Sequence, residues 1–568
     1  MNKFDVIIIG GGLAGLRAGI ELSGNAKVAM LTKVYPMRSH SSAAEGGVNA
    51  ALGNRGDNKE DNVYTHTYDT VKGSDYLADQ DAAEILCKEG IDRVYEMEHW
   101  GVPFSRTEEG KIAQRPFGGG SYARACYASD KTGHALLETM YERSLKENLF
   151  VFNEYMVLKL VVKDGYVHGV VALSLRTGEV EGFIAKTIII ATGGLGRIYS
   201  FTTNAHINTG FGNAIAYWAG VTLKDSEFIQ FHPTGLPTTG ILITEGVRGE
   251  GGILKNRLGE RFMEKYVSMK PPELAPRDIV ARSMMIEINE GRGFPDMGGY
   301  LHLDVTHLDP EIVKKRLSQI RELTISFMGI DPLKKPIPVR PVQHYSMGGI
   351  GTDIDGATNI KGIYAAGEAA CVSVHGANRL GANSLLETLV FGRRAGVAAL
   401  NYVRNERFNP SESYVNSAVV EIKSKIKGLF NKKNGGTEST KIMHELQQTM
   451  DKYVGIFRNQ IGLERGIEII ADLKKRFEKV GVSSKGTTYN LELIRVLELE
   501  GMLDIAEVIA KGALARTETR GAHFRTDHKE RDDTNWLKHT IAEYTPDGPR
   551  FSYQPVLIGK YKPQKRVY

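Results

Sequence analysis

The stretch FDVIIIGGGLAGLRAGIEL, Phe4–Leu22, decides how this chain begins to fold. Phe4–Ile9 is an apolar, isoleucine-rich run of strand length that stops abruptly at glycines. Leu13–Leu22 then carries apolar residues at helical spacing. Between them, Gly10, Gly12 and Gly15 form a GxGxxG turn. Such a turn lets a pyrophosphate approach backbone N–H groups at the positive end of a helix. A turn that merely packs helix on strand would need one glycine, not the set. KVAMLTK, Lys27–Lys33, reads as a second strand and completes a strand–helix–strand unit of dinucleotide-binding size.

Working outward, the second strand departs from the usual pattern. An Asp or Glu is expected near its end to hold a ribose, and Lys33 stands there instead. Next comes YPMRSHSSAAEGGVNAAL, Tyr35–Leu52, a small-residue loop holding a single histidine, His40. On residue type alone, His40 could cap a turn, bind a metal or touch a cofactor, although no second ligand lies at a metal-site spacing.

KTIIIATGG (Lys186–Gly194) and NIKGIYAAGEAA (Asn359–Ala370) are further strands ending in glycine turns. Their separation implies one nucleotide domain interrupted by an insertion. The expected division is a first part of the nucleotide domain at 1–234, a capping insert at 235–343, and the second part at 344–408. A helical domain at 409–520 follows, with amphipathic patterns SAVVEIKSKIKGLF, HELQQTMDKYVGIFRN and IEIIADLKKRFEKV, and KKNGGTEST as a helix–helix loop. Residues 521–568 turn polar and read as a tail ending in Pro-containing coil. The fold class is therefore α/β with α+β and all-α parts.

Composition narrows the function. Lys and Arg total 72 against 67 Asp and Glu, and the net charge of +5 is too mild to indicate nucleic acid. The three cysteines, Cys87, Cys126 and Cys371, form no CxxC, which argues against a disulfide framework, an iron–sulfur cluster or a structural zinc within the chain. The 63 glycines of 568 residues exceed the usual share of about 7% and gather in loops, as backbone contact with a ligand requires. No apolar run is long enough to span a bilayer, and the start reads as a strand rather than a signal peptide.

A second set of residues suits an anionic substrate. EFIQFHPTG supplies His232, and ILITEGVRGEGG supplies Thr244, Glu245 and Arg248. APRDIVARS supplies Arg277, VQHYSMGGI supplies His344, and HGANRLGANSLLE supplies Arg379. Singly, each has a dull explanation: a structural histidine, an Arg248–Glu245 pair, a surface arginine. Together they provide the cationic and hydroxyl donors that two carboxylates need. Spacing alone does not make them converge.

ATGG and GIYAAGE, Gly362–Glu368, look like the companion signals of FAD enzymes, in which the carboxylate matching Glu368 meets the ribityl chain. A helix N-terminal carboxylate is the bland alternative for Glu368. Over nearly its whole length the chain resembles the flavoprotein subunit of succinate dehydrogenase and fumarate reductase. GGGLAG, RSHSSAAEGGVNAALGN, HTYDTVKGSDYLADQDA, QFHPTG, TEGVRGEGG, HYSMGGI, HGANRLGANSLLE and RGAHFRTD carry the match, in order.

The resemblance implies a Rossmann-like FAD domain with an inserted capping domain, a helical domain and a tail. It implies FAD bound covalently through the flavin 8α-methyl carbon to His40. Cofactor contacts would fall on Gly10, Gly12, Gly15, Lys33, Ser39, His40, Ser41, Gly46, Gly47, Glu368, Ser384 and Leu385. His232, Thr244, His344 and Arg379 would bind succinate or fumarate. Arg277 would transfer the proton, and Arg248 and Glu245 would relay it. The resemblance further implies an iron–sulfur subunit as electron partner and indirect attachment to membrane anchor subunits at the cytoplasmic side of the cell membrane.

One departure is sharp. The family has an aspartate in NTGDG, and this chain reads NTGFGNA, with Phe211 there and Asn213 close by. Glu45 in AAEGG resembles the fumarate reductases, where dehydrogenases often carry glutamine. Two other functions compete. L-Aspartate oxidase has a similar dicarboxylate site but normally lacks the flavin-linking histidine, so His40 counts against it. A flavoprotein module for RNA is disfavoured by the weak charge.

Overall fold

The structure is a computed structural model and describes residues 2–432 and 437–568. Its central sheet is built outward from the opening strand, Asn2–Ile9. Val28–Thr32 lies parallel on one side, with Val6 opposite Val28, and Phe150–Asn153 extends the sheet beyond it. Val180–Ile190 lies parallel on the other side, with Ile7 opposite Ile188. Ile363–Ala365 joins the same strand in parallel, although it is distant in sequence. Val6, Ile7 and Ile8 are fully buried, which is why this strand reads as a continuous apolar run rather than an alternating one. Sequence reasoning did not anticipate the antiparallel extension, in which Tyr166–Ser174 and Tyr155–Lys163 complete the sheet.

A second, small antiparallel sheet is ordered Ile229–Gly235, Ile337–Ser346, Leu301–Asp304, Ile253–Lys255. A separate apolar core runs beneath it, including Leu236, Val247, Leu254, Phe262, Met284 and Val339. Helix Arg277–Asn289 packs on the strand Ile229–Gly235, so residues from both elements meet at one edge of this sheet.

The helical part contains Glu412–Asn431, Thr437–Tyr453, Gln460–Phe477 and Leu491–Ala515. The pattern HELQQTMDKYVGIFRN overran its helix, which stops at Tyr453; Phe457–Arg458 instead pairs with Phe524–Arg525. Residues 433–436 of the expected loop KKNGGTEST lie outside the described residues, and its last four begin the next helix.

The polar tail holds strands ahead of its coil ending, which the sequence did not reveal. Lys538–Glu543 and Arg550–Pro555 form a hairpin that joins Leu223–Lys224. KHTIAE buries residues on both faces of its strand, His539 on one and Thr540 and Ala542 on the other. His539 is further held by Asp225 at 2.6 Å and Asp79 at 3.1 Å. All three cysteines are buried and free. Among the described residues, no helix is long and apolar enough to cross a membrane.

Candidate active site

A cavity of about 500 Å³ lies between the opening glycine turn, the His40 loop and the insert. At Gly10, φ is +110° and a Cβ would sit 2.2 Å from the Ala191 carbonyl oxygen. A Cβ at Gly15 would sit 2.0 Å from the Gly10 oxygen, so only glycine closes this strand-to-helix turn. Gly12 is the N-cap of helix Leu13–Leu22 and offers no side chain to it. The helix therefore presents its N–H end to the cavity, where an anion is stabilised. Ser39 Oγ and Thr192 Oγ1 are buried there without a hydrogen-bond partner. Open backbone donors and orphaned hydroxyls fit a bound dinucleotide.

Ser41 Oγ accepts from Leu13 N at 3.3 Å, tying the His40 loop to that helix start. Arg115 Nε donates to the Gly46 carbonyl at 3.0 Å and holds the Gly46–Gly47 turn against the cavity. The Glu368 carboxylate accepts the Ser346 N–H at 2.9 Å, and burial pushes it up to about 7. Ser384 and Leu385 line the cavity at the start of helix Asn383–Asn405. Lys33 lines it too and pairs with Glu498, a residue that sequence reasoning missed.

His40 opens a short 3-10 turn, and its Nδ1 accepts the Ala205 N–H at 3.4 Å. Burial, reinforced by Arg197, lowers this imidazole to about 4, so it is neutral near pH 7. Nε2 is then the ring nitrogen left for a ligand.

The anion-handling residues converge. His232 Nδ1 accepts Thr234 N at 3.1 Å, His344 Nδ1 pairs with Thr203 Oγ1 at 2.8 Å, and the two rings lie 5.0 Å apart. Burial, then the charge of Arg277, holds both imidazoles well below their usual range. Thr244 Oγ1 accepts Gly246 N at 3.3 Å. Arg277 Nε donates to Glu245 Oε2 at 2.7 Å, and Glu245 Oε1 accepts Gly118 N at 2.6 Å. Burial favours a protonated Glu245, but Arg277 and Arg248 outweigh it and hold the carboxyl below its usual value. Burial, then the neighbouring Arg277, lowers Arg379 to about 9.

Of the residues that the resemblance implies for the cofactor, the substrate and the proton, all but Gly15 and Arg248 line the cavity. Gly15 acts by close packing, as above. Arg248 stands behind Glu245, with Nη2 3.8 Å from Oε1 and Nη1 donating to the Glu273 carbonyl.

The most informative missed residue is Gln230. Fully buried, its Oε1 accepts Arg277 Nη1 at 3.2 Å and Arg379 Nη2 at 3.0 Å. Its Nε2 donates to the Arg379 carbonyl at 2.8 Å and to Asn378 Oδ1 at 3.0 Å. Strand alternation was the available signal, because Gln230 and His232 are two apart and share a face.

This combination of a phosphate-cradling turn and a cationic, histidine-lined chamber defines an FAD-dependent oxidoreductase. Residues 5–385 match the family model described as an FAD binding domain, and residues 443–568 match the fumarate reductase flavoprotein C-terminal model. The chain belongs to the succinate dehydrogenase/fumarate reductase flavoprotein family. It is 45% identical to the succinate dehydrogenase flavoprotein subunit of Rickettsia conorii, over 100% of this chain and 98% of that one. It is 44% identical to the fumarate reductase flavoprotein subunit of Mycobacterium tuberculosis, over 100% and 99% of the two chains. Among solved structures, the FrdA chain of a mutated E. coli quinol fumarate reductase superposes with a TM-score of 0.96 at 40% identity, covering 100% of this chain and 99% of that one.

Proposed function

We propose that this chain is the catalytic flavoprotein subunit of an enzyme that interconverts succinate and fumarate. The observation that carries the reading is that Gln230, buried behind the lining, bridges Arg277 and Arg379, which line one chamber with His232, His344 and Thr244. Two guanidiniums tied to one neutral amide retain donors for a substrate's carboxylates, and burial strengthens each contact.

Fumarate becomes succinate when one alkene carbon gains a hydride and the other a proton. FAD, when bound, supplies or accepts the hydride. His232, Thr244, His344 and Arg379 hold the two carboxylates and polarise the alkene between them. Arg277 delivers the proton, and Glu245, bonded to its Nε, restores the charge state with Arg248 behind. The protein surroundings keep bulk water from the reacting carbons.

In this reading His40 carries the covalent flavin. Bonding at Nε2 would replace the proton there and preserve the Ala205 contact at Nδ1. Gly10, Gly12, Gly15, Lys33, Ser39, Ser41, Gly46, Gly47, Glu368, Ser384 and Leu385 form the rest of the cofactor site. The five-part division at 234, 343, 408 and 520 belongs to the same reading, and the separate core from Leu236 to Val339 supports it.

Electrons would pass to an iron–sulfur subunit and a quinone pool, with the chain peripheral to the cytoplasmic face of the cell membrane through partner subunits. The subunit names of the relatives, and the quinol in the name of the E. coli enzyme, support that assignment.

Turnover of the purified holoprotein with an artificial redox dye tests the reading. Fumarate reduction and succinate oxidation are expected, with no peroxide from L-aspartate. Aspartate-dependent peroxide without fumarate turnover would assign the chain to the oxidase class instead.

A further inference from the structure

We infer that Glu498, on the helix Leu491–Ala515, is a cofactor-binding residue that takes the adenosine ribose of FAD in place of the acid missing from the second strand. This rests on FAD occupying the cavity described above.

A dinucleotide-binding unit normally ends its second strand with a carboxylate that accepts ribose hydroxyls. Here the strand Val28–Thr32 is followed by Lys33. A carboxylate reaches the same place from another part of the chain, 465 residues away: Lys33 Nζ pairs with Glu498 Oε1. Thr209 Oγ1 donates to that oxygen at 3.0 Å. Both contacts fall on Oε1, so Oε2 remains as an acceptor, and Glu498 lines the cavity beside Leu31, Lys33 and Val157. The side chain belongs to a residue only 8% exposed. A carboxylate so enclosed is costly unless paired, and Lys33 supplies the pairing charge.

The neighbouring helix makes room for this arrangement. Phe211 opens helix Phe211–Trp218, stands edge-on to Trp218 at 5.9 Å and lines the same cavity. Gly501 lies one helical turn beyond Glu498, and a Cβ there would sit 3.0 Å from the Phe211 ring and 2.8 Å from Ala214 Cβ. The absent side chain lets Leu491–Ala515 seat against the Phe211 helix, which carries Glu498 to Lys33. The site thus has Phe211 where the resembling family has an aspartate, Lys33 where a ribose acid is expected, and one carboxylate contributed by the helical part.

The competing view is that Lys33 and Glu498 merely tie two parts of the chain together. Affinities for FAD and FMN separate the two, because FMN lacks the adenosine. The measurement uses full-length protein carrying His40→Ser, so that retention reads non-covalent binding, with dissociation constants taken from flavin fluorescence. Glu498→Gln is expected to weaken FAD by about 10-fold or more, the worth of a charge-assisted hydrogen bond, while FMN changes by less than about twofold on the same grounds. Glu498→Asp, which keeps the charge but withdraws the oxygen, is expected to shift FAD in the same direction and covers the case of a glutamine variant that does not fold. Unchanged FAD affinity, or equal loss for FAD and FMN, would overturn the assignment. A His40→Ser parent unable to bind FAD would instead count against the flavin reading itself.

Discussion

Arg277 Nε donates to Glu245 Oε2 at 2.7 Å in a setting where the two residues are only 5% and 1% exposed. Arginine loses a proton reluctantly, because its pKa lies above about 12. In the proposed relay, the buried anion bonded directly to the guanidinium would carry the returning proton, with Arg248, 3.8 Å from the other carboxylate oxygen, next in line away from the cavity.

Glu245→Gln keeps the shape but removes the charge and the proton-carrying capacity. Fumarate turnover is expected to fall by about 100-fold or more, the usual range for a lost acid–base group, with FAD content unchanged. Steady-state kinetics beside the flavin absorbance spectrum check this; near-normal turnover would exclude the relay.

Gln230 separates the two arginines, and replacing it with leucine removes their shared acceptor. The expected cost is about 1–3 kcal/mol in stability, as for a buried donor left unpaired, together with a raised KM for fumarate. Gln230→Glu places an anion between the guanidiniums and is expected to weaken dicarboxylate binding further. Urea melts and substrate titration of both variants check the pair; an unaltered KM in both would remove Gln230 from the site.

His40→Ser is expected to retain FAD without a covalent bond. Loss of the bond lowers the flavin potential, so succinate oxidation should suffer more than fumarate reduction. Acid precipitation checks the bond, since flavin should stay with the parent protein and leave with the variant. Dye assays in both directions check the asymmetry, and equal loss would contradict it.

His539 gives a stability prediction. Burial alone would lower its pKa, but Asp225 and Asp79 prevail and raise it to about 9. A histidine raised on folding contributes fully below its unfolded value of about 6.5, and that contribution disappears as pH rises through the folded value. Thermal stability is therefore expected to decline between about pH 6.5 and 9. His539→Gln should flatten that slope, read by melting temperature across the range. A variant with the same slope as the parent would exonerate His539.

Much of this was legible in sequence because local rules operate there. The run Phe4–Ile9, the glycines behind it and helix Leu13–Leu22 appear where periodicity puts them. So does the return of Ile363–Ala365 to the central sheet. The tail hairpin escaped notice because it pairs with Leu223–Lys224, more than 300 residues away, and His539 gains its partners only in the fold. Gln230 was overlooked beside His232 because an amide carries no chemical flag until two guanidiniums meet at its oxygen. Glu498 was overlooked for a similar reason: it sits within an apolar helical pattern, and only packing brings it to Lys33.

The central claim is that Arg277 delivers the proton to a dicarboxylate held in this chamber. It is tested most directly by Arg277→Ala, purified with its flavin and assayed for fumarate reduction with a reduced dye. The account predicts full FAD occupancy and loss of turnover by about 100-fold or more. Substantial remaining turnover at normal flavin content would contradict it.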